Sequence, residues 1–257
     1  MDSCDVVFYE IGKYFFDHKD TLGDTAMQDI IKKYNFGQAT GVDLEGEELG
    51  RVPTPEWKAE YFKDIPTEAN WVGGDNANMA IGQGYVLITP IQLAMAYGAI
   101  ATGKLMKPHL LKEVKNGVGD VVAKFEPEEV GTPDVDPANL AVIQDALRGV
   151  ANENKGVAPI MKQFNLDCAC KTGTAEVAGK NDFAWTAAYG PADKPKYVVT
   201  CIIEEGGGGS GAATPVAAEI LRAALDAAEG KLPDEVAYVA GSTGRSVKIA
   251  ANSQRTD

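Results

Sequence analysis

The stretch from residue 167 to residue 203 constrains the fold more than any other part of the sequence. It holds three runs of strand character, 167–177, 182–189 and 196–203, and the segments between them are short and rich in Gly, Asn, Asp and Pro. Connections this short join only antiparallel neighbours, because a parallel crossover needs about a dozen residues or more. An antiparallel meander is therefore predicted. Its last run, Tyr197-Val198-Val199-Thr200-Cys201-Ile202-Ile203, is apolar on both alternations, so it is expected to lie centrally or beneath helices.

Upstream of the meander the apolar period is helical. Phe8, Ile11 and Phe15 share one helical face at the start, as though the domain were entered midway, and Met27, Ile30, Ile31 and Tyr34 share another within residues 24–34. Residues 37–50 read as a Gly-rich acidic loop, and 51–78, with Pro53, Pro55, Pro66, Gly73 and Gly74, read as irregular. Thr89-Pro90-Ile91-Gln92 is a capping-box pattern with Pro at the first helical position, opening a helix to about Ala101. Residues 110–125 read as a surface hairpin around Asn116-Gly117 and Gly119-Asp120. Asp136-Pro137 opens a helix with Leu140, Ile143, Leu147 and Val150 on one face. After the meander come a flexible loop at 206–209 and a helix from Thr214-Pro215 to about Glu229. Residues 240–257 lose all apolar period and are expected to be a disordered tail, leaving 1–239 as a single, partial domain.

The 257 residues are 45% hydrophobic, enough for one sizeable core. Acidic residues outnumber basic ones 37 to 24, and no Lys/Arg cluster interrupts the formal charge of -13, which argues against a nucleic-acid partner. No run of about 18 apolar residues and no basic-then-apolar leader is present, so the chain as written reads as soluble. The four cysteines are too few for a disulfide framework at this length. Cys168 and Cys170, separated by one residue on a strand, are awkward to pair and read as packed free thiols. Neither they nor His18 and His109 match a standard zinc spacing, and no metal or organic cofactor is implied.

The chemistry centres on Lys171-Thr172-Gly173, followed by Thr174-Ala175-Glu176, on the first strand of the meander. Alone, the triplet is a weak signal whose plain reading is an exposed strand edge. Yet lysine there offers positive charge to a carboxylate, the threonines offer hydroxyls, and glycine lets a ligand approach the backbone. Lys-Thr-Gly on a strand is also one of three signatures of serine penicillin-binding proteins and β-lactamases, beside Ser-x-x-Lys and a Ser-x-Asn-type motif.

Longer blocks carry a more specific likeness. Phe36-Gly37, Thr40-Gly41-Val42-Asp43-Leu44, Pro53-Thr54-Pro55-Glu56-Trp57-Lys58, Ala80-Ile81-Gly82-Gln83-Gly84-Tyr85, and Cys170 through Glu176 with the Ala184-Trp185 strand stand in one order. Over roughly residues 3–229 the chain resembles the transpeptidase domain of high-molecular-weight class B penicillin-binding proteins, and the Trp57-Lys58 block is most similar to the penicillin-binding protein 2 branch. The resemblance implies an α+β penicillin-binding/β-lactamase-like fold, an antiparallel sheet flanked by helices, with the N-terminal part of the domain missing and part of the core exposed as a result.

The same resemblance implies a peptidoglycan D,D-transpeptidase that cross-links D-Ala-D-Ala stem peptides by serine acyl transfer and binds β-lactams. It places Ser3-Cys4-Asp5 at the second motif, Asp5 standing where Asn is commoner. Ser3 would relay a proton and Asp5 would orient the activating lysine, although an ionised Asp cannot donate to a substrate carbonyl as Asn does. Lys171, Thr172, Gly173 and Thr174 would bind the substrate carboxylate, with the Thr174 N–H as one oxyanion donor. No serine of the chain has a lysine three residues later, so the nucleophile is expected upstream and the chain alone is expected to be inactive. A parent held on the outer face of the cytoplasmic membrane by an N-terminal anchor, working with elongation or division proteins, is also implied. A serine β-lactamase and a non-catalytic binding module of the same fold are the alternatives.

Overall fold

A computed structural model of the chain describes residues 3–231, so the tail expected at 240–257 lies outside the described residues. The described chain forms two compact units, one of residues 4–136 and one of residues 137 onward together with Ser3.

In the first unit α1 (Asp5–Asp17), α2 (Lys19–Leu22), α3 (Ala26–Lys33), α4 (Pro55–Tyr61), α5 (Gly73–Ala80) and α6 (Pro90–Thr102) precede the short strands β1 (Leu105–Lys107), β2 (Glu113–Lys115), β3 (Val121–Lys124) and β4 (Glu128–Gly131). Helix α1 crosses α5 closely because residue 12 is glycine. A Cβ there would lie 2.5 Å from the Asn76 carbonyl oxygen, and Asn76 Nδ2 donates to the Gly12 carbonyl at 3.2 Å. The opposite side of α1 is apolar and open, with Val6 64% and Tyr14 54% exposed.

Residues 51–78, expected to be irregular, contain α4 and α5. Pro55 opens α4 instead of breaking it, since the Thr54 hydroxyl caps the helix by accepting from the Trp57 N–H at 3.1 Å. At α5, which opens on two glycines, the Asp75 carboxylate accepts from the Val72 N–H at 2.8 Å. Helix α6 has the expected reciprocal cap: the Thr89 hydroxyl accepts from the Gln92 N–H at 3.2 Å, and the Gln92 side-chain oxygen Oε1 accepts from the Thr89 N–H at 3.0 Å. β2 and β3 form the expected hairpin, turned by Asn116, whose side-chain oxygen accepts from the Val118 and Asp120 N–H groups. The pairing of β1 with β4 was not expected.

The second unit contains α7 (Pro137–Glu153), α8 (Ala158–Gln163), β5 (Ala169–Ala175), β6 (Phe183–Gly190), β7 (Tyr197–Ile203) and α9 (Ala213–Ala228). The meander is present as an antiparallel sheet of order β5-β6-β7, with Thr172 opposite Thr186 and Gly173 opposite Trp185. Among the described residues β6 takes the central place, and α9 covers β7, so the doubly apolar run meets the second of the two expectations, cover by a helix. Small residues suit β6 to the middle: Ala184 and Ala188 are fully buried. Val150, Met161, Cys168, Cys170, Ala188 and Leu221 share one core drawn from three helices and the sheet. Burying one side chain such as Leu221 completely contributes about 1.5–3 kcal/mol. Helix α9 begins at Ala213, one residue before the expected Thr214 cap, because the Thr214 hydroxyl turns to Thr186 at 2.9 Å and to the Gly209 carbonyl at 3.1 Å.

Candidate active site

Lys171, Thr172, Gly173 and Thr174 occupy consecutive positions of β5 and are all partly exposed. Their strand is outermost in its sheet among the described residues, with β6 on one side. The pleat sends Lys171 to one face, and Thr172 and Thr174 to the other. The second face is fixed by Thr186, which stands opposite Thr172 and bonds to Thr214 at the start of α9. An ammonium and two hydroxyls thus flank one backbone edge from both sides, a donor set suited to a carboxylate.

Ser3 lies far from this strand in sequence and next to it in space. Lys171 Nζ donates to Ser3 Oγ at 2.9 Å and to the Thr172 carbonyl at 2.9 Å. The hydroxyl and the ammonium are therefore in proton-transfer reach of one another. Asp5, the third member expected at this motif, is the exposed first residue of α1 and belongs to the other unit.

Behind the strand the side chains are buried. Cys168 and Cys170 are fully buried free thiols. Their mutual hydrogen bond, reinforced by burial, pushes the Cys170 thiol far above its ordinary range. Among the described residues no group of three His, Cys, Asp or Glu side chains is placed to hold a metal ion.

One contributor escaped the sequence reading. Gly209, in the run taken only as a flexible loop, packs against the strand: a Cβ there would lie 2.6 Å from the Gly173 carbonyl oxygen and nearer still to that of Trp185. The signal was available in the glycine run itself, since consecutive glycines also mark close backbone approach.

The family model described as penicillin binding protein transpeptidase domain matches residues 1–222. The chain belongs to this transpeptidase family. Peptidoglycan D,D-transpeptidase MrdA of Haemophilus influenzae is 34% identical over 240 residues, covering 86% of this chain and 34% of the relative. Its counterpart of the same name in Escherichia coli K12 is 30% identical over 242 residues, covering 88% of this chain and 35% of the relative. The chain thus spans about a third of the length of these curated relatives. Among solved structures, Pseudomonas aeruginosa PBP2 in complex with WCK 5153 superposes with a TM-score of 0.70 at 29% identity, covering 91% of this chain and 50% of that one. The Helicobacter pylori PBP2 in complex with MreC gives 0.68 at 29% identity, covering 89% and 39%. The transpeptidase family, its class B penicillin-binding protein 2 branch and its α+β fold are therefore those the sequence resembled. No described helix is long and apolar enough to cross a membrane.

Proposed function

We propose that this chain is the carboxy-terminal part of a peptidoglycan D,D-transpeptidase domain, residues 1–239, which acts on stem peptides ending in D-Ala-D-Ala and is acylated by β-lactams. The observation that carries the reading is the 2.9 Å contact from Lys171 Nζ to Ser3 Oγ, which joins the Lys-Thr-Gly strand to the second motif. In the proposed mechanism a serine attacks the penultimate carbonyl of the stem peptide, D-alanine leaves with a proton, and an amine from a neighbouring strand resolves the ester. Ser3 passes the proton between the activating lysine and the leaving amine, and the Lys171 ammonium lowers the cost of that relay while holding the substrate carboxylate. Asp5 orients the activating lysine. Thr172 and Thr174 bind the carboxylate through their hydroxyls, Gly173 admits the peptide against the backbone, and the Thr174 N–H supplies one oxyanion donor.

No serine among the 257 residues is followed three positions later by lysine, so the nucleophile and its lysine base are assigned to residues outside them. The open apolar side of α1 fits packing against that further part of the domain. The parent is placed on the outer face of the cytoplasmic membrane through an N-terminal anchor. Proteins of the elongation or division machinery are its proposed partners, in keeping with the MreC complex of the Helicobacter pylori relative.

Labelling with a fluorescent penicillin tests the reading. The chain joined to an upstream Ser-x-x-Lys segment should label, the chain alone should not, and Lys171→Ala in the joined protein should abolish or strongly slow labelling. Covalent labelling of the chain alone would overturn the assignment of the nucleophile. Failure of the joined protein to label would favour a non-catalytic module.

A further inference from the structure

The Gly-rich segment ahead of α9 does more than connect β7 to that helix. The last of its four consecutive glycines, Gly209, is buried. Its carbonyl accepts the Ala213 N–H at 3.1 Å, the Thr214 N–H at 2.9 Å and the Thr214 hydroxyl at 3.1 Å, so it is fastened to the first turn of α9. The same Thr214 hydroxyl is bonded to Thr186 at 2.9 Å in the middle strand, which ties that turn to the sheet. Gly209 therefore sits on the sheet face that carries Thr172 and Thr186, the face away from Lys171. There it meets the backbone of Gly173 and Trp185, two residues paired across β5 and β6, at a separation that leaves no room for a side-chain carbon.

We propose that Gly209 is a positioning residue for the acyl-transfer site: the bare backbone of this loop braces Gly173 from behind and so fixes the direction of the following N–H, that of Thr174. The proposal rests on the transpeptidase reading above, in which the Thr174 N–H faces the developing oxyanion. An oxyanion donor works only when aimed at where charge develops, and displacements of about 1 Å at a reacting centre cost on the order of 100-fold in rate. A methyl group at residue 209 cannot be accommodated without moving either the loop or the strand, because the atoms it meets are backbone and not the flexible end of a side chain. Two glycines are thus used back to back: Gly173 has no side chain on the substrate's side, and Gly209 none on the side of the support.

The test uses the transpeptidase that combines this chain with its Ser-x-x-Lys segment, and separates reversible binding of a fluorescent penicillin from the acylation step. Gly209→Ala should lower the acylation rate constant by about tenfold or more while leaving the dissociation constant of the reversible complex unchanged. Ser210→Ala, in the same loop, should behave as wild type. If Gly209→Ala fails to fold, as judged by its thermal melt, Thr214→Val removes the hydroxyl that fastens Gly209 and must show the same split in smaller measure. Acylation at the wild-type rate in Gly209→Ala, or in Thr214→Val where that variant stands in, would overturn the proposal alone. A wild-type protein that is never acylated would bring down the transpeptidase reading and this proposal with it.

Discussion

Lys58 Nζ reaches both carboxylate oxygens of Asp75, at 2.9 and 2.7 Å, where the two side chains are only 5% and 10% exposed. The pair joins α4 to α5, and Asp75 at the same time accepts the Val72 N–H that starts α5. Removing one partner strands the other in a poorly hydrated place. Lys58→Met should therefore destabilise the protein by about 3–5 kcal/mol, and Lys58→Met with Asp75→Asn should recover a good part of that loss. Denaturant unfolding of the single and double variants checks this, and a double variant as weak as the single would sink it.

Gln92 is fully buried and uses its whole amide. Its nitrogen donates at 2.8 Å to the carbonyls of Gln38 and Leu49, and its oxygen caps α6 through the Thr89 N–H. Gln92→Leu keeps the bulk but leaves two carbonyls and a helix-start N–H without this partner. A loss of about 2–4 kcal/mol in unfolding free energy is expected. A loss under 1 kcal/mol, about the net value of a single typical hydrogen bond, would show that the loop 37–50 does not depend on this residue.

Asp43 accepts the main-chain N–H of Leu111 at 2.9 Å and of Leu110 at 2.7 Å, and these bonds hold its carboxyl below the ordinary aspartate value. The folded protein thus binds this proton less readily than the unfolded chain does. The stabilisation is complete above the unfolded value of about 3.9 and is lost as pH falls through the lower folded value. Asp43→Asn should flatten the acid limb of a melting-temperature profile at the same time as it lowers stability near neutrality. An unaltered acid limb would show that the two main-chain bonds do not persist in solution.

Thiol chemistry should divide along burial. Cys4 is exposed, whereas Cys168 and Cys170 are buried and the Cys170 thiol is held protonated. Brief alkylation of the native chain followed by peptide mass spectrometry should find Cys4 modified and Cys168 and Cys170 spared until denaturant is added. Early modification of Cys170 would mean that β5 opens readily.

What could be read from the sequence was whatever is local. Thr89-Pro90-Ile91-Gln92 announces α6 because both cap bonds lie within four consecutive residues. Thr54-Pro55 carried the same signal for α4, but neighbouring prolines and glycines made the region look like loop. Helix α5 could not be read because its support is distant: Asn76 bonds to Gly12 across 64 positions of sequence. The β1–β4 pair is equally hidden, since strands of three and four residues are joined by a short register, Leu105↔Gly131, Met106↔Glu129 and Lys107↔Glu128, and by ion pairs such as Lys104 with Glu129. At the site, Lys171 was legible as part of a motif. The meeting of Lys171 with Ser3 spans 168 positions, and only the family resemblance anticipated it.

β5 carries a second burden as the outer strand of its sheet among the described residues. Its side chains, ACKTGTA, are small and uncharged apart from Lys171. A strand of that kind invites another molecule's strand to zip onto it, and a lone lysine is one of the devices by which proteins keep such edges solitary. Lys171, assigned above by proposal to the substrate's carboxylate, is thus also fitted to guard against self-association, so a variant stripped of this lysine can lose labelling by clumping as well as by losing the proposed chemistry.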